Sequence, residues 1–119
     1  MKQKQQLVLQ KTGAVILESL SVANSFWGRL RGLMGAKVLG SAEGLALIPC
    51  NSIHSFFMRF PIDVLFLDAQ GRVLRCEQAM LPWRIGAFVP GAKMAIEANA
   101  GVLSTTVQVD DIVEIREQP

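Results

Sequence analysis

Tyrosine is absent from this 119-residue chain, histidine occurs once, and aromatic side chains make up only 7% of it. A surface that binds single-stranded nucleic acid stacks bases on aromatic platforms, and such platforms are scarce here. Charge is scarce too, at 18% of residues with a net +2. That balance is too small to build a polyanion groove, so no nucleic-acid partner is expected. No apolar run reaches the length of a membrane span. The polar start Lys2-Gln3-Lys4-Gln5-Gln6 is not followed by the apolar stretch of a secretion signal. The expectation is a soluble, cytoplasmic protein. The two cysteines, Cys50 and Cys76, are too few for a disulfide framework. Both lie beside apolar runs and read more simply as buried thiols than as a bridge.

Half of the residues are apolar, which argues against disorder. The length suits one domain, here taken as residues 1–119 with residues 1–6 frayed. The charge is uneven. Lys2, Lys4, Lys11, Arg29, Arg31 and Lys37 face only Glu18 and Glu43 in residues 1–58, which gives a mildly basic front half.

Short apolar segments punctuated by turn residues dominate the pattern. Residues 7–22 read as a hairpin about Lys11-Thr12-Gly13, and Gly44 to Ile48 as a strand ending at Pro49. Ile62 to Leu67 is apolar on both faces, as a core strand is. Asp68-Ala69-Gln70-Gly71 is a turn signal, and Arg72 to Met80 follows as the partner strand. Ala92 to Ala98 and Ile112 to Ile115 are further strands, with a loop or short helix opening at Ala100-Gly101.

One segment has helical period. Phe26, Trp27, Leu30, Leu33 and Met34 share a side, with Asn24 or Ser25 as N-cap and Gly35 as stop. Gly28 and Gly32 lie opposite and suggest a close backbone approach. The architecture predicted is mainly β: a distorted β-sandwich or jelly-roll-like barrel with one short helix near residues 24–34.

Three runs resemble a known family. They are Arg29 to Gly35 (RLRGLMG), Ile53 to Met58 (IHSFFM) joined to Phe60 to Asp68 (FPIDVLFLD), and Glu97 to Gly101 with Asp111. In this order, from about Asn24 to Ile115, they resemble the domain-of-unknown-function family numbered 192. The resemblance implies a compact β-sandwich of jelly-roll type with a small helix, and it implies no activity. The tail departs from the family pattern. Ala98-Asn99-Ala100-Gly101 stands where similar sequences read Leu-Pro-Ala-Gly, and Thr106 and Asp110 stand where they have glycine. Threonine tolerates a positive φ poorly, so the tail loop is expected to differ.

Few residues carry recognisable chemistry. If residues 52–58 are extended, Ser52, His54, Phe56 and Met58 share a face. Cys50, His54 and Asp63 would suit zinc, or a thiol nucleophile with a base and an orienting acid, if they converged on one point. The second ligand pair of zinc modules is missing, and a histidine tied to a backbone carbonyl is the simpler reading. Asp63 needs a partner if buried, and Arg59 or loop N–H groups are candidates. A carboxylate pinning the turn at Pro61 is the structural alternative to a ligand or general base. Trp83, beside Arg84 in the irregular stretch 81–91, is either a stacking platform or a lid over the core. Met34, Met58, Met80 and Met94 read as core gap-fillers. Phosphate-loop and serine-elbow motifs are absent.

The reading favoured is a non-catalytic β-module, a monomer or weak homodimer without a cofactor. It would bind a small molecule or peptide through residues 54–63 and loop 81–91, with His54, Phe56, Met58, Arg59, Asp63 and Trp83 as the binding residues. The alternatives are a zinc protein or hydrolase-like enzyme built on Cys50, His54 and Asp63, and a structural partner protein docking through the Gly28/Gly32 face or an open sheet edge.

Overall fold

The computed structural model describes residues 5–25, 28, 29, 33, 39–86 and 88–118. Seven strands form: β1 (Gln5–Leu9), β2 (Val15–Ala23), β3 (Glu43–Leu47), β4 (Ile62–Leu67), β5 (Val73–Met80), β6 (Met94–Asn99) and β7 (Val113–Glu117). The mainly β expectation is borne out. All seven belong to one sheet, in the order β5-β4-β6-β3-β2-β1-β7. Gln5 and Gln6, expected in the frayed start, are the first residues of β1 and pair with Glu117 and Arg116.

The sheet curls until its two edges meet. Arg72 and Ile112 form a bridge. The Val73 N–H donates to the Asp111 carbonyl and the Asp110 N–H to the Val73 carbonyl, each at 2.8 Å. The result is a partial barrel, closed at the start of β5 and open along the rest of that strand. Pairing is antiparallel throughout except between β2 and β3, which run parallel.

The alternation of side chains across each strand sorts the core into two clusters. One holds Leu7, Leu17, Leu65, Leu67, Ile96 and Val113 from five strands, and Leu103 and Val107 from the 100–107 turn plug it. The other lies on the opposite face of β4, β6 and β3, with Val64, Phe66, Leu47 and Ala95. Ile53, Met58, Val89 and Ala92 from two loops cover it. Each aliphatic side chain fully buried this way contributes about 1.5–3 kcal/mol. The apolar-on-both-faces reading of Ile62 to Leu67 follows directly: every residue of β4 is buried.

Little helix is present among the described residues. The Ser25 Oγ accepts the Gly28 N–H and the Ser25 carbonyl accepts the Arg29 N–H, both at 3.0 Å, which makes one capped turn where the helix was expected to start. Phe26, Trp27, Leu30, Gly32, Met34 and Gly35 of that expected helix lie outside the described residues. A Cβ on Gly28 would come within 2.8 Å of the Ser25 Oγ, so the close approach there is by its own capping side chain. Asp110 has φ 76°, so the tail does use a left-handed residue where glycine was expected, whereas Thr106 does not. No described helix is long and apolar enough to cross a membrane.

Candidate functional site

Two loops run side by side over the second cluster. Their anchors are Ile53 and Val89, both buried. The Val89 N–H donates to the Asn51 carbonyl, the Gly86 N–H to the Ile53 carbonyl and the Ser55 N–H to the Arg84 carbonyl, all at 2.8 Å. His54 and Ile85 make an isolated bridge in the same ladder. The approach is close enough that a Cβ on Gly86 would sit 3.0 Å from the Ile53 carbonyl oxygen.

Ser55 locks the two loops. It is fully buried. Its hydroxyl donates to the Leu81 carbonyl at 2.5 Å and accepts the Arg84 N–H at 2.8 Å. Its carbonyl accepts the Trp83 N–H at 2.9 Å. A buried serine that satisfies both loops fixes the direction in which the chain leaves each of them.

At the tip, Phe57 and Trp83 both take left-handed backbone, with φ 63° and 65°. For bulky side chains this conformation costs about 1–3 kcal/mol each. The two rings meet with centroids 4.6 Å apart, and Phe56 lies 6.0 Å from Trp83 and 5.1 Å from His54. Yet the cluster is not core. Phe57 and Trp83 are 56% exposed, Leu81 53%, Phe88 63% and Ile85 78%. The Phe57 and Trp83 rings form an apolar ledge on a braced backbone, with Leu81 and Ile85 at the cleft beside it and Phe88 exposed further along the second loop.

Beside the ledge is an open cleft of about 490 Å³, lined by Arg75, Glu77, Met80, Leu81, Arg84, Ile85 and Gly86. Arg75 is paired with Glu77 at 2.7 Å. Arg84 and Arg59 are exposed, and neither makes an ion pair among the described residues. β5 borders the cleft as the terminal strand of the sheet.

The expected site residues divide. His54, Phe56 and Trp83 stand together in the ring cluster. The His54 Nδ1 accepts the Phe56 N–H at 3.2 Å, so the ring is tied to a backbone N–H and not to a carbonyl. Residues 52–58 do not present one face. The left-handed turn at Phe57 sends Met58 inward to 5% exposure, while Ser52 stays exposed. Met58 is therefore a core gap-filler and not part of the exposed binding face.

Asp63 is fully buried and already engaged. Its Oδ1 accepts the Ala79 N–H at 2.9 Å. Its Oδ2 accepts the N–H groups of Gly101, Leu103 and Ser104 at 2.9, 3.2 and 2.8 Å. Burial pushes its pKa up, but the hydrogen bonds from Ala79, Ser104 and Gly101 outweigh that and hold the carboxyl below its ordinary value. The partner is loop N–H groups and not Arg59, and what is pinned is the 100–104 turn and β5, not the turn at Pro61. A carboxylate with four donors on it is a positioning group, and its position in the strand is not that of a ligand handle.

The Cys50, His54 and Asp63 side chains are held by different partners. The Cys50 Sγ donates to the Ser52 carbonyl at 3.1 Å. Among the described residues no three of the histidine, cysteine and acidic side chains gather where they could hold a metal ion. Burial raises the pKa of Cys50, and burial with the nearby Asp63 and Glu77 charges raises Cys76 to about 11. Both thiols are thereby poor sources of thiolate.

Sequence reasoning missed Ser55 and Glu97. Glu97 lies on β6 between Leu45 and Val64, 2% exposed. Its Oε1 has no hydrogen-bond partner, and burial raises its pKa to about 7. The signal was present as a single acid inside the apolar run Met94-Ala95-Ile96-Glu97-Ala98.

A curled single-sheet β-domain carrying two laced loops and an apolar ledge is thus the class of protein that fold and site define. The signature of the domain-of-unknown-function family 192, described as Uncharacterized ACR, matches residues 7–115, and the chain belongs to that family. It is 36% identical over 103 residues to a UPF0127 protein of Thermococcus sibiricus, which covers 82% of this chain and 66% of that one. It is 33% identical over 100 residues to a UPF0127 protein of Thermococcus kodakarensis, which covers 79% and 62%. The chain thus spans about two thirds of the length of these relatives. A protein of unknown function from Novosphingobium aromaticivorans superposes with a TM-score of 0.80 at 19% identity, over 93% of this chain and 83% of that one. A Sinorhizobium meliloti protein described as a candidate transcription regulator does so with 0.80 at 20% identity, over 96% and 93%. At that identity the likeness shows the shared fold alone.

Proposed function

We propose that this chain is a non-catalytic binding module whose ledge of Phe57 and Trp83, with the exposed Ile85 and Phe88 of the same loop, docks an extended peptide segment of another protein. The observation that carries the reading is the combination at Trp83: a ring more than half exposed on a backbone held at φ 65°. Left-handed tryptophan is unfavourable, and strain of this kind gathers at sites that hold something. Contiguous exposed apolar side chains mark interaction surfaces in the same way. The openness of the adjoining cleft favours a peptide laid across the surface over a small molecule enclosed in a pocket.

The test is a selection of short peptides from a random library, followed by titration of the best into ¹⁵N-labelled protein. Shifts centred on residues 54–57 and 81–88, lost in Trp83→Ala, are expected. Peptides that bind elsewhere, or equally well to Trp83→Ala, would remove the ledge as the docking site.

A further inference from the structure

The cleft beside the ledge carries a charge that the fold does not use. Arg75 is neutralised by Glu77 at 2.7 Å. Arg84 lines the same cleft, and its guanidinium has no acidic partner among the described residues. Two arginines against one glutamate leave the cleft positive, with exposed Leu81 and Ile85 at its rim. The Arg84 backbone is locked by Ser55 on both sides: its N–H by the Ser55 hydroxyl at 2.8 Å and its carbonyl by the Ser55 N–H at 2.8 Å. The side chain is thus presented from a fixed point, and an arginine fork so placed suits a carboxylate.

The cleft also has a backbone side. β5 ends the sheet, and beyond Val73 no backbone partner lies on its open side among the described residues. An extended segment laid there pairs with the strand edge and presents alternate side chains to the cleft. The register shifts at Leu74 and Ala79 limit the run to Arg75 through Gln78.

From this arrangement we infer that the docked segment is acidic: it places an Asp or Glu on Arg84 and its apolar neighbours on the ledge. The inference rests on the peptide-docking reading and adds the charge that selects among peptides. Arg75 is a reserve cation, since Glu77 holds it only until a competing carboxylate arrives.

An array of extended peptides tests this. All share one core of leucine, phenylalanine and tryptophan, flanked by acidic, basic or serine residues, and are probed with the labelled full chain. Acidic peptides are expected to bind roughly three- to tenfold tighter than serine ones, with the preference shrinking as salt rises. Arg84→Gln should bring the two to parity, Arg84→Glu should favour the basic set, and Glu77→Gln should strengthen the acidic preference. Arg84 is exposed, so melting curves of its two variants should overlay the parent. Charge-blind binding that Trp83→Ala abolishes would leave the ledge standing and overturn the acidic reading. Binding to no peptide would overturn both. Tight binding of an oligouridylate probe, lost in Arg84→Gln without any acidic preference, would assign the arginine to a phosphate backbone and overturn the peptide.

Discussion

The Asp63 carboxylate reaches across from β4 to accept the Ala79 N–H of β5 at 2.9 Å, and so holds a bulge in the neighbouring strand. Between Ile62 and Val64 the register of β5 steps from Met80 to Glu77, one residue more than an even ladder needs. Ala79 absorbs the extra residue at φ 47°. The same carboxylate gathers three N–H groups of the 100–104 turn, which plugs the barrel with Leu103. Asp63→Asn keeps the size but turns one acceptor oxygen into a donor facing N–H groups. A loss of about 3 kcal/mol in urea unfolding near neutral pH is expected. Because the folded pKa is lowered, this stabilisation is present above the unfolded value of 3.8 and is lost as pH falls through the folded value. The variant should therefore show a flatter acid limb. An unchanged acid limb would mean that the carboxylate is not what the turn depends on.

Glu97 has the opposite sign. Burial raises its pKa from 4.5 to about 7. The folded chain then holds a proton that the unfolded chain has released, so stability falls as pH rises through that window. The full difference is about 3 kcal/mol. Glu97→Gln removes the titration and leaves a neutral side chain of the same shape. It should match the parent near pH 4.5 and exceed it by about 3 kcal/mol at about pH 8, read from denaturant midpoints. A parent whose stability is flat across that range would rule out a protonated Glu97.

Gly71 closes the hairpin between β4 and β5 with φ 85°, and a Cβ there would lie 2.3 Å from the Val113 carbonyl oxygen. Backbone strain and a backbone clash act together, so Gly71→Ala should lose about 3 kcal/mol. Gly13 provides the control. It has φ 76° with nothing within 4 Å of its Cβ position, so Gly13→Ala should lose only about 1 kcal/mol. Equal losses would show that the seam between the hairpin and β7 yields easily.

That hairpin was legible because its signals are local: an apolar run, the Asp68 to Gly71 turn and a partner strand. The order of the sheet was not. β6 is inserted between β4 and β3, and β2 meets β3 in parallel, pairings that no local pattern encodes. The partners of Asp63 lie 16 residues away at Ala79 and 38 to 41 residues away in the turn, all on backbone N–H groups, which carry no side-chain signature. The ring cluster was half legible. The irregular, proline-punctuated stretch flagged Trp83 and the extended face shared with His54 flagged Phe56, but treating residues 52–58 as one extended face misplaced Met58, since a single left-handed residue at Phe57 reverses the facing. Glu97 was hidden because a strand pattern records that an acid is flanked by apolar residues and not whether it finds a partner.

Ser55 and Trp83 separate what the loops need from what a ligand would need. Ser55→Ala strands the Leu81 carbonyl and the Arg84 N–H that the hydroxyl now satisfies. About 1–3 kcal/mol of local stability should go. Amide exchange should quicken at Trp83, Arg84 and Gly86 more than in the strands. Trp83→Gly does the reverse. It relieves the left-handed strain at φ 65° and forfeits ring contacts with Phe56, which is partly buried, and with Phe57, which like Trp83 is half in solvent. These effects are each about 1 kcal/mol and of opposite sign, so the fold should stay within about 1 kcal/mol of the parent. If Trp83 were a lid over the core, glycine there would lose well over 2 kcal/mol, as emptying a packed aromatic site does. Denaturant midpoints decide between the two. A tryptophan whose removal leaves the fold intact, on a backbone that glycine would suit better, is not retained for stability, and the peptide titration then asks what it is retained to hold.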